Sequence, residues 1–458
     1  MRRAQIDMTN GRLGRDILLF SLPLMLSNIL QVLFNMADLA TVGQFVSSHA
    51  LGSVGSTVIL VSLFTGFLIG MGSGVNVIAA RYLGARQGDN VSQTVHTAAL
   101  LCLFAGVAAL AIGEFFAVPL LRLIHTKDEL IVDATLYLRI YFLGMPALAV
   151  YNFGNGVLSA TGDTKRPLII LASAGVLNVV LNLFFVVVCG LGVAGVGIAS
   201  AASQWLSAVL VVLALSKRED ACRFMPQALR ITPDKARLLL SMGVPAGFQN
   251  AIFAIANLFI QSGVNSFDAI VVDGNSAAAN ADSLVYDVMA AFYIACSTFM
   301  SQNLGAGRRK RVLQSYFVSL AYSFGAGAVL GALLLLFGRQ FLALFTPDSA
   351  VIDEGIRRLQ VMAFSYAFSA FMDNTIAASR GLGKSLVPTI IVMMGSCVFR
   401  VVWIYTVFAH FHTLPSLYLL YIFSWTITAV AEILYFVHCY RAQINRPGLS
   451  GGELSKAQ

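Results

Sequence analysis

Asp38 stands inside a long apolar run, with Gln31 and Asn35 seven and three positions before it. If the run is helical, all three share roughly one face. One acid with two amides in apolar surroundings suits a single kind of chemistry. A carboxyl partly withdrawn from water can take and release a proton or hold a cation. The simpler reading, a solvated acid at a membrane interface, stands beside it. Asn152 and Asn155 are three apart, and Asn178 and Asn182 are four apart, so each pair also shares a face. Any one amide can be packing glue between helices. Four of them, together with Asp38, favour a polar cavity in the first half of the chain.

The second half holds a different set. Asp373 lies in Phe-Met-Asp-Asn-Thr, Asp282 and Asp287 share another apolar run, Arg400 is midway along a third, and Glu432 is in the last. A buried arginine needs a partner. Arg400 with Asp373, Asp287 or Glu432 is either a structural ion pair or the tuning cation of a second proton or cation site, and the residues leave both open. Interface positions explain Glu114 and Arg139. Other chemistries lack their residues. The six cysteines are scattered, with no metal or disulfide spacing, and His410 and His412 are the one close histidine pair. There is no HExxH, GxSxG or P-loop. No catalytic set, metal site or cofactor is expected beyond a coupling ion such as H⁺ or Na⁺, and nothing here encodes an ATP-driven pump.

The elements that must position these residues follow from composition. The 458 residues are 58% hydrophobic and 11% charged, with a mean hydropathy of +0.79. Soluble domains carry about 25% charge, so most of this surface must face lipid. Disorder is excluded for the same reason. A transmembrane helix needs roughly 20 apolar residues. Twelve stretches qualify: 17–43, 52–80, 93–121, 131–160, 167–189, 193–215, 238–264, 276–302, 314–344, 351–379, 386–409 and 415–439. Continuous apolar runs argue against a β-barrel. The first stretch is too long and too polar for a cleaved signal peptide.

The charges set sidedness. Of the 30 Lys and Arg, 23 fall in alternate segments: the N-terminus, 81–86, 165–166, 217–237, 308–311, 380–384 and the C-terminus. The positive-inside rule then places both termini in the cytoplasm, in a cell (inner) membrane protein. The net charge of +8 is thus a topological label and no sign of nucleic-acid binding. The surroundings implied are membrane lipid, and a monomer is expected.

The chain also repeats itself at an offset of 220–222. Pro23, Asn28 and Asn35 recur as Pro245, Asn250 and Asn257. Leu83-Gly84-Ala85 recurs as Leu304-Gly305-Ala306, and Gly162 and Pro167 recur as Gly383 and Pro388. Six spans per half make the repeats parallel. The expected organisation is an all-α membrane protein with an N-terminal six-helix bundle (1–215), a cytoplasmic linker (216–237), a C-terminal six-helix bundle (238–440) and a cytoplasmic tail (441–458). Duplicated bundles with a substrate route between them are a recurring transporter architecture.

In detail the chain resembles the bacterial multidrug and toxic compound extrusion (MATE) transporters over about 15–440. The resemblance rests on Ala37-Asp38 with Val42-Gly43, Arg81-Tyr-Leu-Gly-Ala-Arg86, Ser159-Ala-Thr-Gly-Asp-Thr-Lys-Arg-Pro167, Gly192-Val-Ala-Gly-Val-Gly-Ile-Ala-Ser200, Gln302-Asn-Leu-Gly-Ala-Gly307 and Arg380-Gly-Leu-Gly-Lys384. It implies two bundles around a central cavity, and efflux of small hydrophobic organic cations driven by inward H⁺ or Na⁺. It implies a protonation site at Asp38, a helix bend at Pro23, and cavity positions at Tyr137, Asn152, Asn155, Asn178 and Ser200. Asn182 departs from a pattern that has Asp at this place. Asp373 matches a second-bundle acid of another branch, whose seventh-span acid is missing near Phe253. The other readings are a lipid-linked oligosaccharide flippase of the same superfamily, which would hold pyrophosphate with cationic residues, and an intramembrane enzyme.

Overall fold

The computed structural model describes residues 6–444. Arg2, Arg3, Arg446 and Lys456, and most of the expected tail, lie outside the described residues. Within them, every regular element is helical. Apolar runs this long have no water to satisfy their peptide groups, so each must close its hydrogen bonds within itself.

The first repeat runs through α1 (Leu13–Phe45), α2 (Ser48–Gly84), α3 (Gly88–Leu123), α4 (Asp128–Phe142), α5 (Met145–Ala160), α6 (Lys165–Leu183) and α7 (Gly192–Ser216). The second runs through α8 (Pro233–Val264), α9 (Ala269–Gly305), α10 (Arg309–Leu342), α11 (Ser349–Gly381), α12 (Leu386–Val392), α13 (Phe399–Trp403), α14 (Ala409–Phe411) and α15 (Leu414–Ile444). Ten helical stretches among the described residues are long and apolar enough to cross a membrane, with Leu386–Phe411 counted as one. The α4–α5 pair makes an eleventh span. The twelfth, α11, has the length at 33 residues but carries six charged ones.

Two spans differ from simple rods. The stretch 131–160 is broken between Phe142 and Met145 and bent by 44°. Pro146 explains the break, because it has no N–H to donate and its ring crowds the carbonyl of Phe142. The stretch 386–409 contains π-turns at Met393–Val398 and Ile404–Phe408, on either side of Arg400. Another π-turn, Phe184–Val188, ends α6 just beyond Asn182. Such turns re-aim the side chains around them and are frequent at functional sites.

The repeat is legible in backbone detail. Gly162 and Gly383, 221 apart, have φ of 83° and 84°. Each ends a helix in the same way, with Asp163 N–H bonded to Leu158 O and Lys384 N–H to Ser379 O. Glycine is needed there because a Cβ is strained at positive φ.

By packing, Leu26–Ala251 form one compact unit, and Asp7–Met25 with Ile252 onward form the other. The boundaries fall just past Pro23 in α1 and Pro245 in α8. The first unit has its core on α2, α3, α4 and α5, around Met71, Val75, Cys102, Phe142, Met145 and Phe153. Small residues let these helices touch. A Cβ on Gly72 would fall 2.7 Å from Asn152 O, and one on Gly156 only 2.5 Å from Gly72 O. The second unit packs α9, α10 and α11 around Met289, Tyr293, Met300, Leu359, Met362 and Tyr366.

Candidate functional site

In the first unit Asp38 is half-buried near the end of α1, and two helices reach it. The Asn182 amide of α6 donates to Asp38 Oδ1. The Ser200 hydroxyl of α7 donates to Oδ2 at 3.2 Å. Asn182 also donates to Asn178 Oδ1 at 3.2 Å, and Asn178 donates to Ser200 Oγ at 3.4 Å. The four side chains form one network. Tyr137 and Tyr141 lie within electrostatic range of Asp38, with ring centroids 5.8 Å apart. No lysine, arginine or histidine among the described residues forms an ion pair with Asp38.

Local sequence makes this possible. Asn178 and Asn182, four apart, stack on one face of α6. One turn before them is Gly175, where a Cβ would sit 1.8 Å from the Phe34 ring. Only glycine lets α1 come close enough for the amides to reach its acid. Beyond the network, Val42, Ala50, Val54, Tyr137, Val186, Val193 and Val196 pack into an apolar cluster. It covers one side of the polar group with side chains that cannot compete for its hydrogen bonds.

The other residues fall elsewhere. Gln31 and Asn35 are exposed on α1 and give Asp38 no hydrogen bond. Asn152 is buried and bonds back to Leu148 O at 3.0 Å. Asn155 accepts from Ser159 at 3.3 Å. Pro23 lies inside α1, which is one continuous helix.

The second unit holds a different constellation. Asp373 is buried on α11, and its nearest cations are Arg380 and Arg400. Glu432 on α15 is fully buried, and both its carboxylate oxygens lack a hydrogen-bond partner among the described residues. Arg380 is its electrostatic neighbour. Arg400 is 2% exposed and forms no ion pair with Asp373, Asp287 or Glu432. Its partners are instead Ser424 Oγ at 3.3 Å and three rings, Tyr421 at 4.9 Å, Phe253 at 5.8 Å and Trp425 at 6.0 Å. Cation–π attraction extends to about 6 Å. The ion-pair reading of Arg400 is thus replaced by an aromatic cage. Asp287 lies half-buried on α9.

A buried ion pair was missed in the sequence. Arg358 of α11 meets Asp282 of α9, which also accepts from the Tyr366 hydroxyl. Arg358 reaches Asn275 as well and lies over the Tyr418 and Tyr421 rings. Asp282 was visible, but its partner is 76 residues away on another helix, beyond the reach of any spacing rule. The stretch expected as the linker is tied to α3 by hydrogen bonds. His96 Nε2 accepts from Met225 N–H at 3.1 Å, and Thr232 N–H donates to Thr97 Oγ1 at 3.1 Å. Burial pushes the Asp220 carboxyl up, but the Arg218 guanidinium beside it prevails and holds it below the usual range. Burial pushes the Cys222 thiol up to about 12, which makes it a packing residue.

Two repeated helical bundles, crossing a membrane many times and keeping their few charges in enclosed clusters, define a class: a multi-pass membrane transporter. The MatE family model matches residues 23–184 and again 245–406. The chain therefore belongs to the MATE family, whose members are transporters and not enzymes. It is 30% identical over 381 residues to the probable multidrug resistance protein YpnP of Bacillus subtilis, covering 82% of this chain and 84% of that one. It is 26% identical over 349 residues to a FAD transporter of Shewanella oneidensis, covering 74% and 76%. Among solved structures, that of MATE in complex with MaL6 superimposes with a TM-score of 0.90 at 21% identity, over 97% of this chain and 100% of that one. At that identity the likeness is one of fold.

Proposed function

We propose that this protein is a secondary active multidrug exporter of the cell (inner) membrane, with both termini in the cytoplasm. It exchanges small hydrophobic organic cations for H⁺ or Na⁺ by alternating access. The observation that carries this reading is Asp38, held by one amide and one hydroxyl with no cation paired to it among the described residues. A proton, a sodium ion and an organic cation all compete for such a carboxylate. Two unit charges 4 Å apart interact by roughly 4 kcal/mol at an effective dielectric of about 20. That is about a thousandfold in occupancy, so protonating Asp38 suffices to release a bound cation. Competition at one carboxyl is the least machinery that antiport requires. The lone acid among amides favours H⁺.

In this reading Asn178, Asn182, Ser200 and Tyr137 orient Asp38, and Asn152 and Asn155 line the route with Gln31 and Asn35. Asp373, with Asp287 behind it, is a second coupling acid in the other unit. Further support comes from relatives named as multidrug resistance proteins, such as YpnP and the NorM of Thermotoga maritima. The test is ethidium efflux from energised cells carrying wild type, Asp38→Asn or Asp373→Asn. Asp38→Asn is expected to lower efflux at least tenfold. Unchanged efflux in both variants would remove the site assignment. Vesicles with an imposed pH gradient, set against vesicles with an imposed Na⁺ gradient, identify the coupling ion.

A further inference from the structure

Two neighbours on α3, His96 and Thr97, are buried, and both bond the stretch between α7 and α8. The partners of His96 fix its tautomer. Ser92 O lies 2.7 Å from Nδ1 and can only accept, so Nδ1 carries the hydrogen. Met225 N–H lies 3.1 Å from Nε2 and can only donate, so Nε2 is bare. The Phe224 ring stacks on the imidazole, with centroids 5.8 Å apart. Thr97 makes a second catch. Its hydroxyl donates to Arg230 O at 3.2 Å and accepts from Thr232 N–H at 3.1 Å, one residue before α8 begins at Pro233. All of these residues belong to the first unit. The charges around His96 are engaged elsewhere or face water. Asp89 of α3 and Lys217, Glu219, Arg223 and Arg230 of the docked stretch are exposed. Arg218 pairs with Asp220, Asp163 with Arg166, and Lys235 of α8 donates to Tyr82 Oη at 2.8 Å. Arg81 of α2 has Tyr82 as its electrostatic neighbour, and the Cys222 thiol, pushed up by burial, stays neutral. α5, which reaches Phe224 through Phe153, has no carboxylate or basic side chain. Among the described residues none of these groups forms an ion pair with His96.

We propose that His96 is a proton-operated catch, and that protonating it releases the stretch between α7 and α8 from α3. An imidazolium carries a hydrogen on both nitrogens. Nε2–H would then point at Met225 N–H, and a buried charge would stand without a partner. The docked form therefore excludes the proton, and the released form, open to water, takes it. Acidification shifts the population toward release, and raising the pH restores the catch. The face concerned is the cytoplasmic one in the topology proposed above. Release loosens the entry to α8 and slows export, so an exporter that draws protons inward is braked as the cytoplasm acidifies. The catch stands independently of the transporter reading, whereas its effect on export rests on it.

The experiment follows hydrogen exchange by mass spectrometry in purified full-length protein in detergent. Protection is measured relative to intrinsic exchange rates in a series from about pH 8 to about pH 5, where histidine changes charge. In wild type the Met225 amide is expected to lose protection at least tenfold across the series, while the α5 amides keep theirs. His96→Gln, whose amide oxygen can still accept from Met225 and which takes no charge, should stay protected throughout. His96→Ala should be unprotected throughout. Thr97→Val removes the second catch and leaves His96 in place, so it should move the loss at Met225 to higher pH; it also covers the case in which both His96 variants misfold. Wild-type protection that does not change with pH, a loss shared equally by α5, His96→Gln or His96→Ala that behaves like wild type, or a transition unmoved in Thr97→Val would overturn the catch. In vesicles that keep the pH difference constant while both sides are made more acidic, wild-type dye export should fall severalfold further than that of His96→Gln. Equal falls would overturn the brake on export. Vesicles that export no dye at any pH, with the exchange results as expected, would overturn the transporter reading alone.

Discussion

The two repeats hold corresponding positions and fill them with opposite chemistry. At an offset of 222, Asp38 and Asn182 of the first repeat fall on Ile260 and Ile404 of the second. The first pair is hydrogen-bonded. The second pair sits in an apolar cluster with Val264, Phe408, Leu417 and Leu420. Asn178 falls on Arg400 at the same offset. One repeat thus gathers a single acid among neutral donors. The other spends that space on packing and places its charges elsewhere, as Asp373, Arg380, Arg400 and Glu432. Duplication conserved the places where helices meet and left their polarity free to diverge. A neutral-donor site leaves its carboxylate open to a passing cation. The second unit instead keeps its acids and arginines within electrostatic range of one another, Asp373 with Arg380 and Arg400 and Glu432 with Arg380, so that their charges are partly offset.

The comparison breaks most visibly if the acid is moved across. Ile260→Asp would place a charge in the apolar cluster with no partner, at a cost of about 3–5 kcal/mol. Thermal unfolding in detergent should show a large fall in Tm, and an unchanged Tm would mean the two positions are not packed differently. Next, Gly175→Ala should destabilise the first unit by about 1–3 kcal/mol, because its methyl would meet the Phe34 ring. It should also lower ethidium efflux, since α6 can no longer bring Asn182 to Asp38. Loss of stability without loss of efflux would separate packing from coupling.

A smaller effect is expected of Ser200→Ala. It removes one of two donors to a half-buried carboxylate, about 1 kcal/mol. Efflux should survive with a shifted pH dependence, read from dye export across external pH, whereas an unshifted profile would mean that Ser200 does not tune Asp38. The smallest effect lies outside the spans. Asp7 is pushed up by burial, but hydrogen bonds from Asn10 and Thr9 prevail and hold it down to about 2. A depressed carboxyl stabilises its turn above the ordinary value near 3.8 and loses that contribution as pH falls through about 2. The protection of the Thr9 and Asn10 amides, whose N–H groups bond Asp7, measured relative to their intrinsic exchange rates, should hold down to about pH 4 and fall below it.

Much of this was legible in the chain itself. Span positions follow from apolar run length, because a bilayer has one thickness. The repeat follows from matched anchors, and the structure writes two of them as identical turns at Gly162 and Gly383. That Asp38 and Asp373 lie in costly places follows from the scarcity of charge around them. The partners of these acids did not follow. Gln31 and Asn35 share a helix with Asp38, and helical spacing makes them its neighbours on paper. Yet its hydrogen bonds come from Asn182 and Ser200, 144 and 162 residues away. Likewise Arg400 was expected among acids and lies among rings.

The physical reason is one of range. Periodicity and composition report on a single helix and on its solvent, and they alone determined the spans, the parallel repeat and the residues for which burial is expensive. Which faces of different helices meet depends on their rotation and separation. Those are decided by a missing Cβ at Gly175, a broken span at Pro146 and π-turns flanking Arg400, and only the tertiary structure brings these together.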